Sequence, residues 1–391
     1  MHRSIFIVGQ QMEVRVQSVS SIAEEISRDI AGPAADGVDR DARFPIEAVT
    51  AIREAGLLGA LVPKDLGGLG ASLTDISHAV RVLAHSCAST AMVLAMHSIE
   101  VASLVRHGET EWMRDFVSRI ARDRLLLANA GSEVGVGGGG WSICAVETNG
   151  EQFRLEKEAA TVSFGRYADC LVVAARRTPE SVPGDQVAVL CFPPALELRE
   201  IGPWDTFGLR GTCSNAFHIS ASGSTDQILP DTAAVQACTY VPVANILRGS
   251  AWLGIAESAF LRAQKVVSRQ ARKQIGETPD SALALADLVV TLQAMRDSVQ
   301  SSIHDFGPLV DVRPPTRRES VRMDTVKLSQ SQALIEIVIG AATICGISGY
   351  RLDSPDSMSR IIRDALSAPI MVNNGRIRRS NAELLLGVRN Y

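Results

Sequence analysis

Apolar positions recur at two different periods along this chain, and the period changes twice. In FPIEAVTAIREAGLLGALVP (44–63), Ile46, Val49, Ile52 and Leu57 repeat at helical spacing, and Pro63 helps to end the segment. The glycine-rich turn LGGLGASLTD (66–75) follows, with Thr74 or Asp75 placed to cap a helix through DISHAVRVLAHSCASTAMVLAMHS. ETEWMRDFVSRIARD (109–123) is a further amphipathic helix. The middle differs. FRLEKEAATVSF, DCLVVAARR, QVAVLCF, LELREIG and NAFHISAS are short, β-branched and separated by turn formers such as PESVPGD and GPWD. Long helical periods then return over 244–274, 281–306, 323–346 and 357–368, with GPLVDVRPPTRRES (307–320) as a Pro-Pro loop.

This order predicts an α+β fold of three domains. They are an N-terminal helical domain (1–125), a central antiparallel, barrel-like β domain (126–235) and a C-terminal four-helix bundle (236–391). Strands without intervening helices exclude a doubly wound sheet, and no G-x-G-x-x-G follows a strand. Residues 1–43 match nothing firmly, and IFIVGQQ reads either as ordered or as a tail.

Composition narrows the function classes. The 391 residues are 46% hydrophobic with a net charge of −4, which leaves no electrostatic footprint for nucleic acid. The seven cysteines are scattered with no CxxC pair, which argues against disulfides and structural zinc and for free thiols in a reducing cytosol. No uninterrupted apolar run has the length of a membrane span, and MHRSIFIVGQQMEV is too short in its apolar part for a signal peptide. The expectation is a soluble cytoplasmic protein. His78 and His85 can share a helix face, but no third ligand is apparent, so no metal is expected.

GSEVGVGGGGW (131–141) invites a nucleotide reading, but the Gly-Lys-Ser/Thr end of a phosphate loop is absent. It is either a linker into the first strand or a place where backbone approaches a ligand, with Ser132 and Glu133 at its entrance.

Six stretches, taken together and in order, resemble the acyl-CoA dehydrogenase family. FP…EAGLLGALVPKDLGGLG (44–70) is similar to its N-terminal signature, and LANAGSEVGVG (127–137) to its flavin-contacting loop, with Ser132, Glu133 and Gly137 at the matching positions. TVSFGRYAD (161–169) resembles the strand that puts a hydroxyl, here Ser163, near the flavin N5 edge. WDTFGLRGTCS (204–214), RKQIG (272–276) and ICGISGY (344–350) match further family motifs. The resemblance implies FAD, or alternatively FMN, between the β domain and the bundle of a homotetramer. It implies that Arg272 and Gln274 reach the diphosphate and adenosine of a neighbouring subunit's cofactor, and that the Gly346–Gly349 turn lies against it. Without the resemblance, Arg272 reads as a surface charge at a helix end.

The family's reaction is α,β-dehydrogenation of an acyl thioester, on coenzyme A or a carrier protein, in which a glutamate removes the α proton. On RDALSAPIMVNNGRI (363–377) that glutamate falls on Val372, between Met371 and the pair Asn373 and Asn374. Valine takes no proton. An alternative glutamate position, near Ala244, also lacks an acid, and Glu257 is almost four turns further on. Three explanations stand: a local misalignment of this stretch, a base recruited from elsewhere, such as Glu133 or His97, or another reaction on the same scaffold. Flavin-dependent monooxygenases resembling this family dispense with the glutamate, take reduced flavin from a separate reductase and use histidine and serine; His97 and Ser163 are the candidates here. The plainer reading of His97 is a satisfied helix-face histidine. Asn373 and Asn374 read as a turn between helices or as substrate contacts in the emptied position, and Asp364 as a scaffold salt bridge. The leading expectation is thioester oxidation with FAD as hydride acceptor. The rivals are a two-component monooxygenase and a non-catalytic binder of flavin or acyl ligand. Electron acceptor and reductase are not legible.

Overall fold

The computed structural model describes residues 18–136, 140–273, 277–306, 313 and 315–387. Helices Val19–Ile26 (α1), Gly32–Arg40 (α2), Ile46–Glu54 (α3), Leu73–Ser86 (α4), Ala88–His107 (α5) and Glu111–Arg122 (α6) come first. The cap of α4 is Ser72, two positions before Thr74, the earlier of the two caps expected from sequence. Its hydroxyl accepts from Asp75 N–H at 3.2 Å while the Asp75 carboxylate accepts from Ser72 N–H at 2.9 Å. The single helix expected after it is two. Cys87 between them is extended (φ −143°, ψ 105°) and ends α4.

Strands Leu127–Ala130 (β1), Glu147–Asn149 (β2), Gln152–Ala159 (β3), Cys170–Arg176 (β4), Gln186–Cys191 (β5), Leu196–Gly202 (β6), Ala216–Ser224 (β7) and Ile228–Leu229 (β8) form two four-stranded sheets. Their orders are β1-β4-β5-β8 and β2-β3-β7-β6. Pairing is antiparallel except that β1 runs parallel to β4, which corrects the all-antiparallel expectation. In β3 strict alternation turns Phe153, Leu155, Lys157 and Ala159 inward. Lys157 is satisfied there by the Ala174 carbonyl at 2.6 Å, with the Glu133 carboxylate 3.7 Å away.

Helices resume with Thr232–Val235 (α7), Val241–Ala271 (α8), Asp280–Phe306 (α9), Arg317–Tyr350 (α10), Ser359–Ala365 (α11) and Asn374–Leu385 (α12). Three long helices form the bundle, and the short α11 and α12 pack against α10 where a fourth long helix was expected. α5 and α10 are long and apolar enough to cross a membrane by length and composition alone; 83% of the apolar window of α5 is buried, as in a core helix. This helix touches α4, α8 and β1, so the three domains share one apolar core.

Candidate functional site

A cavity of about 570 Å³ opens where the three domains meet. Met92 and Met96, one turn apart on α5, form part of its apolar wall with Trp204, Phe207, Leu366, Ile370, Met371 and Val372. Thr161, Ser163, Thr212 and Ser214 line the β-domain side, and Arg248 of α8 and Arg363 of α11 are its charged residues. A larger cavity, about 640 Å³, lies beside β3 and is lined by β-domain residues alone, apart from both the Ser163 hydroxyl and the helices.

The hydroxyls form a directed chain. Leu209 O can only accept, so Thr212 donates to it at 2.9 Å. Thr212 therefore accepts from Ser214 at 2.8 Å, and Ser214 from Ser163 at 2.8 Å. Ser163 has spent its proton and turns lone pairs to the cavity, where it can receive an N–H.

Three ties hold the rim. Arg363 pairs with Asp39 of α2 at 2.8 Å. Asp364, 4% exposed, accepts from Leu209 N–H at 2.7 Å. Burial pushes its carboxyl up to about 6, and Arg360 and the Leu209 N–H only partly offset this. Lys327 of α10, fully buried, donates to Ala368 O at 3.1 Å and to the side-chain oxygen of Asn374, on either side of Val372. Backbone strain also gathers here. Leu209 and Val372 line the cavity, Phe164 and Cys213 adjoin its hydroxyls, and all four have φ between 43° and 50°. For a β-branched residue such as Val372 this is an outlier, retained only where its surroundings enforce it.

The acyl-CoA dehydrogenase N-terminal domain model matches residues 16–124, and the C-terminal domain model of the same family matches 242–379. The chain belongs to the acyl-CoA dehydrogenase family. The family is one of flavoproteins whose homologues are oxidoreductases of more than one chemistry. It is 23% identical to the short-chain-specific acyl-CoA dehydrogenase of Clostridium acetobutylicum, over 96% of this chain and 97% of that one. It is 26% identical to the amino sugar nitrososynthase DnmZ of Streptomyces peucetius, over 85% and 84%. The crystal structure of FMN-bound TdsC, a dibenzothiophene monooxygenase from Paenibacillus sp. A11-2, superimposes with a TM-score of 0.83 at 21% identity, over 95% and 98%.

The cavity fits the ring system of the family's flavin. Methionine and tryptophan side chains suit the faces of a flat heteroaromatic group, and Ser163 suits a ring N–H. Of the residues expected at the site, Ser163, Met371 and Val372 line the cavity. His97 does not. It is 0% exposed, Nε2 donates to Leu58 O at 2.7 Å, and Nδ1 accepts from Leu127 N–H at 3.0 Å. Burial lowers its pKa to about 4, against the Leu58 bond that would raise it. Both nitrogens are engaged, so the candidate base is a core tie between α5 and β1. Glu133 is also withdrawn from the substrate pocket. Its carboxylate accepts from Ser142 Oγ at 2.6 Å, Ile143 N–H at 3.1 Å and Cys144 N–H at 2.7 Å, fastening the 131–144 loop.

Asn373 caps α12 by accepting from Gly375 and Arg376 N–H, and Asn374 is buried against Lys327 and Ser331, so neither lines the cavity. Asp364 bonds a backbone N–H in place of the expected salt bridge. Ser132 bonds backbone at Thr161, at 2.7 and 2.9 Å. Arg272 is exposed past the end of α8, and Gly346 (φ 57°) breaks α10 ahead of the buried Gly349. None of the three lines this cavity. Gly137 and Gln274 lie outside the described residues. Sequence reasoning missed Met92, Met96, Trp204, Arg248 and Lys327. The charge in the apolar run NILRGSAWLGIA was the available signal for Arg248.

Proposed function

We propose that this chain is the oxygenase component of a two-component flavin-dependent monooxygenase. One observation supports the reading: among the described residues the cavity wall holds no Asp, Glu or His, and Val372, where the resemblance would put the glutamate, is part of it. Removing an α proton needs a base within hydrogen-bonding reach, and this wall offers none. Reduced flavin supplied by a reductase would bring the electrons that split O₂, with one oxygen atom going to the substrate and the other leaving as water.

The chain's own part is to hold and to exclude. Ser163 accepts a ring N–H and sets its position. Met92, Met96, Phe207 and Met371 keep water from the reacting atoms. We further propose a homotetramer, supported by Ile347, Tyr350 and Leu352, which are 74%, 82% and 82% exposed beside the Gly346 break. In such an assembly Arg272 and the Gly346–Gly349 turn would serve a neighbour's cofactor, and comparing FAD with FMN affinity tests whether an adenosine half is held. A cytoplasmic location is consistent with seven free cysteines, six of them buried.

The deciding experiment is an anaerobic titration of the flavin-loaded protein with acyl-CoAs, followed by oxygen uptake with a flavin reductase. We expect no bleaching by any thioester, and substrate-dependent oxygen uptake. Bleaching near one equivalent would return the protein to thioester dehydrogenation and overturn the reading.

A further inference from the structure

Arg248 stands out among the cavity's charges. It is 7% exposed, on a stretch of α8 where Leu247, Ala251 and Trp252 are also buried. Among the described residues no carboxylate lies within 4.0 Å of its guanidinium, whereas the cavity's other guanidinium, Arg363, is held by Asp39. Its polar neighbour is the Tyr240 hydroxyl. Glu100, two turns beyond Met92 on the same α5 face, is nearby but accepts from Asn129 Nδ2 at 3.0 Å. Burial pushes Glu100 up to about 8, which weakens it as a counter-charge to the guanidinium. Lys327, whose pKa is lowered to about 8 by burial first and then by the Arg248 charge, is a second buried basic group near it.

A buried guanidinium with no carboxylate paired directly to it is costly to keep, and a ligand in the cavity can supply that partner. We propose that the cavity's substrate carries an acidic group, of carboxylate type, and that Arg248 receives it. This deepens the monooxygenase reading and rests on it for the identity of the occupant as substrate. A planar guanidinium binding a carboxylate through two parallel hydrogen bonds is the strongest recognition available to a side chain, and it also orients the ligand. Met92 and Met96 would cover the apolar part of such a molecule.

The test measures binding, so it stands apart from turnover. Carboxylate and carboxamide pairs, from acetate and acetamide to phenylacetate and phenylacetamide, are titrated calorimetrically into the FMN-loaded protein. We expect at least one acid to bind about tenfold or more tightly than its amide. Arg248→Met should abolish that preference, and Arg248→Lys should keep part of it. Should Arg248→Met fail to fold, the wild-type ratio and the lysine variant decide. No acid preference anywhere in the panel overturns the proposal, as does a preference that survives Arg248→Met. So does an Arg248→Met variant that loses flavin affinity but keeps its acid preference. Oxygen uptake fails or succeeds separately: acid binding through Arg248 without oxygen uptake would sink the monooxygenase reading alone.

Discussion

The cluster around His97 and the cluster around Ser163 are built from the same kinds of bond, yet one is closed and the other open. His97 joins Leu58 O to Leu127 N–H, and nothing is left over. The Ser163–Ser214–Thr212 chain ends on Leu209 O at one side and on free lone pairs at the other. A closed network contributes stability, and an open one contributes a place for a ligand. Polar character and nearness to a family motif do not distinguish the two; the count of unspent donors and acceptors does.

The contrast breaks most visibly at His97. His97→Ala leaves a buried carbonyl and a buried N–H unpaired and should lower stability by about 2–4 kcal/mol, read by denaturant unfolding. Ligand affinity of the folded fraction should stay near wild type; a large loss of affinity with unchanged stability would reverse the roles of the two clusters.

Acid sharpens the same point. The folded-state pKa of His97 is below its ordinary value, so the unfolded chain binds the proton first. Its contribution is complete above pH 6.5 and is lost as pH falls towards 4, worth about 3 kcal/mol at most. The stability gap between wild type and His97→Ala should therefore shrink over that window. Glu100, raised by burial, has the opposite sign and loses its contribution as pH rises through 8. A gap that stays constant from pH 7 to 4 would show that His97 is not buried neutral.

Lys327 lies between the two kinds of cluster, closed itself but holding the loop that carries Met371 and Val372. Lys327→Met should cost about 1–3 kcal/mol and also weaken ligand binding several-fold. A purely structural role would spare the binding. The smallest stability effect belongs to the open cluster. Ser163→Ala should change stability by less than about 1 kcal/mol while lowering oxygen uptake about tenfold to hundredfold. Equal losses in both measurements would close the distinction.

Much of this was legible in the chain. Helical and strand periods separated the helical and β regions, because burial on one face imposes a repeat of about 3.6 or 2 residues. Ser163 was singled out by its motif, but that motif was expected as a strand and forms the turn between β3 and β4, where Phe164 is left-handed (φ 45°). The break at Cys87 was not legible, since nothing local separates α4 from α5 in an unbroken apolar pattern. The parallel β1–β4 pair was not either, because local alternation is the same in both pairings. His97 and Glu133 were misplaced for one reason: sequence gives a side chain's chemistry but not its partners.

By itself the sequence determined which segments repeat as helix or strand and the family those segments belong to. These are local or linear properties, set by spacing and residue type. Only the tertiary structure decided that His97 is spent in the core, that Lys327 secures the Val372 loop, and that Arg248 lines a cavity with no carboxylate paired directly to it. Each of those depends on groups tens to hundreds of residues away, because a polar group's role follows from what it meets once buried.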